Sequence, residues 1–172
     1  AAKRLMSLRL IAMRHAKSSW GDPLLSDFER PLNERGYSDA LAMGNWLSQM
    51  GYVPDTVVLS SSVRTTQTCV CVLNALDAVP NQMSTKALYH APDFQILRAI
   101  AQAKGETVLL IAHNPGIGDF VSHFASHPVA QPEFVRYPTC ATTVFDVDVA
   151  TWAQAKFGEN RVIDFITPHE LK

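Results

Sequence analysis

The 172-residue sequence has only three cysteines, Cys69, Cys71 and Cys140. The count is odd, and Cys69 and Cys71 sit two apart in a helix-like segment where their side chains diverge. Free thiols are therefore expected rather than a disulfide framework or a metal site. An excess of one charge is missing too, since 15 Lys and Arg stand against 16 Asp and Glu. No global field draws the chain to nucleic acid or anionic lipid, so any anion site must be local. Apolar runs such as Thr107 to Ala112 fall far short of a bilayer span. Residues 1–6 carry positive charge, but Arg9 and Arg14 interrupt the following stretch before it reaches the length of a signal-peptide core. The expectation is a cytoplasmic protein with no membrane or nucleic-acid partner and a flexible segment at 1–6. Repeats, low-complexity tracts and linker-like shifts in composition are also lacking. A single domain over 1–172 is expected, with 47% hydrophobic content to build its core.

What the chain does contain is a recurring unit, a short apolar run that ends in a polar turn. The first, from Leu8, stops at Arg14-His15, and a loop rich in Pro and charge follows from Ser19 to Pro31. Asn33 reads as the N-cap of a helix whose apolar stripe includes Tyr37, Ala40, Leu41, Gly44 and Leu47, with Gly51 and Pro54 as its stop. Thr56 to Ser60 has the β-branched character of a buried parallel strand, and the serines after it can cap a helix reaching about Leu76. A short strand is expected at Met83 to Leu88 and a helix at Asp93 to Ala103. The strand Thr107 to Ala112 leads through His113-Asn114-Pro115-Gly116 into a helix from Ile117 to about Ala125. Strands at Thr142 to Val149 and Arg161 to Thr167 would close one edge. Three strand-turn-helix units imply an α/β fold, a three-layer α/β/α arrangement with a mainly parallel central sheet flanked by helices.

That topology has a chemical consequence. Arg14-His15, Arg64 and His113-Asn114 all follow strands, and the carboxyl ends of parallel strands share one edge, where ligands bind. Two guanidiniums and two imidazoles around one small volume repel each other unless an anion compensates. Arginine suits a phosphoryl group because its planar fork donates two parallel hydrogen bonds and stays charged. A histidine among such cations is driven towards its neutral form and can attack phosphorus, provided its other ring nitrogen is held as a donor.

These residues resemble the histidine phosphatase superfamily, the phosphoglycerate mutase-like family. Its Arg-His-Gly box is similar to Arg14-His15-Ala16, with Ala16 for glycine, and Ser18 and Trp20 match positions just after the box. Gly21 stands where many members carry a phosphate-contacting Asn. Arg30-Pro31-Leu32-Asn33-Glu34-Arg35-Gly36 resembles the family's Pro-Leu-Thr-x-x-Gly helix start. Ser60 to Thr68 resembles its Ser-x-x-x-Arg-x-x-Gln-Thr box, and His113 matches its second histidine. Short length, the Arg-Pro-Leu loop and His113-Asn114-Pro115 look most like the SixA-type phosphohistidine phosphatases. Larger members carry an acidic proton donor after the middle strand. Here that region reads Leu88-Tyr89-His90-Ala91-Pro92-Asp93, so the resemblance supplies no general acid.

The resemblance implies a phosphatase in which His15 attacks phosphorus while Arg14, Arg64 and His113 hold the phosphoryl oxygens. Arg30, Ser18, Lys17 and Asn114 are further candidates for phosphate or substrate contact. The general acid stays open among Asp22, Asp27, Glu29, His90 and Asp93. The lack of an evident acid favours a phosphohistidine substrate, whose P–N bond is labile and whose imidazole leaves more readily than an alkoxide. Alternatives are a small-molecule phosphomonoesterase, a mutase with the same nucleophile, and a phosphate-binding module without turnover. No cofactor or metal is called for: His123 and His127 are four apart, but Pro128 ends their helix, and surface positions are expected for both. The partner is a phosphorylated substrate, a histidine-phosphorylated protein on the SixA reading. The sequence is compatible with a monomer.

Overall fold

The computed structural model describes residues 7–172, so the segment 1–6 lies outside the described residues. Strands β1 (Leu8–Arg14), β2 (Thr56–Ser60), β3 (Asn81–Thr85) and β4 (Thr107–Ala112) are parallel, β5 (Thr142–Val147) pairs antiparallel with β1, and β6 (Arg161–Ile166) pairs antiparallel with β5. They form one sheet in the order β3-β2-β4-β1-β5-β6. Helices α1 (Glu34–Met50), α2 (Val63–Leu76), α3 (Asp93–Ile100), α4 (Gly116–Phe124) and α5 (Pro132–Arg136) cover its faces.

Side-chain alternation along the strands separates two apolar layers. Ile11, Met13, Val57, Leu59, Leu109 and Ile111 pack with Met43 and Leu47 of α1 and Val72 of α2. Leu10, Ala12, Val58, Val108 and Leu110 face the other way, onto Ile96 of α3 and Phe120 and Phe124 of α4. Consecutive residues of β1 and β4 thus serve opposite layers, which is why both strands read as unbroken apolar runs. The arrangement is the expected three-layer α/β/α sandwich.

The expected ends of the first helix hold. Asn33 Oδ1 accepts from Gly36 N at 2.8 Å, and Gly51 closes α1 in the left-handed conformation with φ 76°. Gly36 is required for another reason: a Cβ there would lie 2.1 Å from the Lys17 carbonyl oxygen. The absent side chain lets the loop after β1 lie directly on the first turn of α1.

Two local expectations are corrected. The strand expected at Met83–Leu88 runs instead from Asn81 to Thr85, and Lys86–Leu88 turns into a short 3-10 helix capped by Thr85. As the sheet's edge strand, β3 is largely exposed, so its Asn-Gln-Met-Ser-Thr sequence carries no apolar signal. Helix α5 was not expected; five residues with Pro132 at its start are too few to show a periodicity.

Candidate active site

β1, β2 and β4 end side by side, and the turns after them bring Arg14, His15, Arg64 and His113 into one pocket of about 240 Å³. The sequence box from Ser60 to Thr68 assembles it. Ser60 Oγ accepts from His113 Nε2 at 2.8 Å, and Arg64 projects from the first turn of α2. Gln67 Oε1 takes the Leu32 N–H at 2.8 Å, and Thr68 Oγ1 takes the Ala16 N–H at 3.0 Å. One turn of helix therefore fixes the loop after β1, the loop before α1 and the end of β4. Alanine at position 16 is accommodated, fully buried.

His15 is 6% exposed, and its Nδ1–H donates to the Ala16 carbonyl at 2.7 Å. That bond fixes the tautomer and leaves Nε2 as the ring's unprotonated nitrogen. Burial pulls the imidazole down to about 3, and the charges of Arg14, Arg64 and Arg30 pull the same way against the Ala16 hydrogen bond. At neutral pH the ring is uncharged and nucleophilic. His113, 1% exposed, is pulled down to about 2 by burial, by His15 and by Arg64. Its Nδ1 faces Arg64 Nη2 at 3.4 Å, and a guanidinium can only donate, so Nε2–H must point to Ser60.

Arg64, 2% exposed, donates to the Asp27 carbonyl at 2.6 Å and to Asp27 Oδ2 at 3.0 Å. Arg14 donates to the Tyr137 carbonyl at 3.1 Å. Arg14 Nε and Arg64 Nε are buried without a protein partner, a condition that an anion in the pocket relieves. Arg30 is buried as well: it donates through Nε and Nη2 to Asp27 Oδ1, at 3.1 and 3.0 Å, and through Nη1 to Ser18 Oγ at 2.7 Å. Its guanidinium lies 3.5 Å from the centre of the exposed Trp20 ring, which also lines the pocket. Lys17 and Asn114 line the pocket too, but Asn114 is a structural clamp. It donates to the Arg136 and Tyr137 carbonyls and accepts from Gly118 N.

Among the expected acids, Asp27 and His90 are in the pocket lining, whereas Asp22, Glu29 and Asp93 are not. Asp27 is the hub, receiving Arg64, Arg30, Tyr89 Oη and His90 Nε2. Partial burial raises its carboxyl, but the hydrogen bonds from Tyr89, Arg64, His90 and Arg30 outweigh it and hold the group well below the carboxylate range. Tyr89 and Thr139 had no sequence signal as site residues; Tyr89 arrives through the turn at Lys86–Leu88, whose geometry no periodicity announces. His123 bonds Asp93 at 2.5 Å, His127 follows α4, and both are exposed. Among the described residues no three His, Cys, Asp or Glu side chains form a metal-binding group. A larger cleft of about 550 Å³ lies between β3 and α3, but Arg98 is the one charged group lining it, and it holds no nucleophile.

Residues 10–86 match the model of the histidine phosphatase superfamily, branch 1, which spans both the Arg14-His15 and Arg64 boxes. The fold matches a SixA structure from Agrobacterium tumefaciens at 25% identity, covering 94% of this chain and 98% of the other with a TM-score of 0.76. Over residues 10–86 the chain is similar to the histidine phosphatase superfamily. A SixA structure from Nakamurella is similar at 26% identity, 94% and 96% coverage and a TM-score of 0.76. An uncharacterised Mycobacterium tuberculosis protein is 29% identical over 91% of this chain and 99% of its own length. The family match and these SixA-type neighbours support a phosphatase acting on a phosphorylated substrate. No helix among the described residues is long and apolar enough to cross a membrane.

Two neutral buried imidazoles make the protein sensitive to acid. In the unfolded chain each takes up a proton as pH falls through its ordinary value of 6.5, whereas in the folded chain they wait until about 3 and about 2. Stability is full above pH 6.5 and is lost as pH falls towards 3, by about 1.4 kcal/mol per pH unit for each excluded proton. Urea unfolding at pH 7, 6 and 5 should show a falling midpoint, with a shallower slope in His113→Gln. A midpoint constant from pH 7 to 5 would contradict the neutral assignment.

Proposed function

We propose that this protein is a phosphatase that removes the phosphoryl group through a covalent phosphohistidine on His15, and that its substrate is phosphohistidine in a protein. The observation that carries the reading is the Nδ1–H bond of His15 to the Ala16 carbonyl, which reserves Nε2 for phosphorus in a pocket of fixed cations. Nε2 attacks in line, the bond from phosphorus to the leaving atom breaks, and Arg14 and Arg64 oppose the charge spread over the equatorial oxygens. His113 holds the Arg64 fork from behind and exchanges partners to meet an oxygen when the phosphoryl group arrives. Water then attacks the phosphohistidine and returns the electron pair to His15. Arg30, Ser18 and Lys17 line the approach and contact the substrate beyond the phosphoryl group.

A phosphorylated imidazole fits the mouth of this site. It is planar, and Trp20 and His90 offer rings in the pocket lining, with Trp20 75% exposed. The Arg14, Lys17, Arg30 and Arg64 cations face one carboxylate, so the site favours a dianionic phosphoryl group. Side by side, a phosphohistidine peptide should be dephosphorylated with a kcat/KM at least about tenfold above that for a phosphoserine peptide of the same sequence. Equal values, or a preference for phosphoserine, would replace phosphohistidine with a phosphomonoester as substrate. Phosphate binding without release from either would favour a binding module.

A further inference from the structure

We propose that His90, held by Asp27, is the proton donor to the leaving group; this rests on His15 being the nucleophile. His90 lies at the pocket's mouth with its side chain 50% exposed, where a leaving group must depart. Its Nε2–H donates to Asp27 Oδ2 at 3.0 Å, and its ring is centred 5.0 Å from that of His113. The residue occupies the left-handed backbone region, φ 53°, which L side chains adopt rarely. Tyr89 lies beside it, tilted by 40° with 4.2 Å between ring centres, and donates to the same Asp27 oxygen, so the imidazole is oriented from two sides.

The other pocket residues are poorly suited to the task. Asp27 accepts from Arg64, Arg30, Tyr89 and His90, and a carboxylate so engaged is ionised and has no proton to give. His15 is the nucleophile, and His113 is buried and neutral, so giving up its one ring proton would leave an imidazolate. Burial and the Asp27 bond push the Tyr89 phenol upwards, making it a reluctant acid. His90 thus faces Asp27, Tyr89 and His113, and it is the half-exposed imidazole of the pocket lining.

The step balances. As the His15 Nε2–P bond forms, the bond from phosphorus to the leaving atom breaks and its electron pair stays on that atom, which takes the Nδ1 proton of a doubly protonated His90 while the Nε2–H stays on Asp27. An alkoxide becomes an alcohol, and a departing imidazolide becomes imidazole. In hydrolysis the now neutral His90 accepts a proton from the attacking water, and the enzyme is restored.

Substitution by Asn and by Gly tests this, because both residues tolerate a positive φ and neither supplies a proton. The readout is kcat/KM for phenyl phosphate relative to 2,4-dinitrophenyl phosphate, whose leaving group needs no proton. Both variants should lower that ratio by about 10²-fold relative to the unsubstituted protein. An unchanged ratio, whether both substrates lose activity equally or neither does, overturns the assignment of His90 and leaves His15 standing. Absence of a phosphoryl group on His15 in the unsubstituted protein overturns the reading beneath it.

Discussion

His15→Ala should lower turnover of any phosphorylated substrate by about 10⁴-fold or more, with the fold intact by circular dichroism. Loss of a nucleophile removes the covalent route entirely, leaving what the remaining cations contribute by binding and charge stabilisation. No neighbour is placed to substitute. Ser18 Oγ accepts from Arg30, and Ser60 Oγ accepts from His113, so each hydroxyl is already engaged. The structural cost is small, because the side chain's hydrogen bond is to the adjacent Ala16 carbonyl. Activity within tenfold of the unsubstituted protein would remove His15 from the mechanism.

Arg64→Lys should lower kcat/KM by on the order of 10³-fold, although the charge is kept. The guanidinium reaches the Asp27 carbonyl and carboxylate and touches His113, so its fork is already aimed before substrate arrives. An ammonium can occupy one of those directions but cannot present two parallel N–H groups to a phosphoryl group. The loss should fall mainly on kcat, since the charge that opposes the extended transition state depends on that alignment, while Arg14 and Arg30 preserve much of the ground-state attraction. The variant should remain folded because Asp27 retains Arg30, Tyr89 and His90. An unchanged kcat in Arg64→Lys would show that the fork does not contact the reacting group.

The strand ends were legible because β1 and β4 are buried on both faces and therefore apolar throughout; Arg14-His15 and His113 stand where those runs stop. Arg64 was legible for a related reason: it follows β2 at the serine cap of α2, and caps have sequence signatures. Asp27 was harder to read. Its importance comes from a loop that folds back to place one carboxylate among four donors, and no local pattern encodes that return. Likewise, the exposed strand β3 and the left-handed turn at His90 arise from tertiary contacts, so an edge strand was misplaced and a site residue stood unranked among five acids. The acceptor for His15 was invisible for the opposite reason, being the backbone of the very next residue.

The most direct measurement is rapid quenching of the protein during turnover of a ³²P-labelled substrate, followed by mapping of the label. The account predicts one acid-labile, alkali-stable phosphoryl group on the peptide containing His15, absent from His15→Ala. Label on another residue, or an equal yield of labelled protein in His15→Ala, would contradict it.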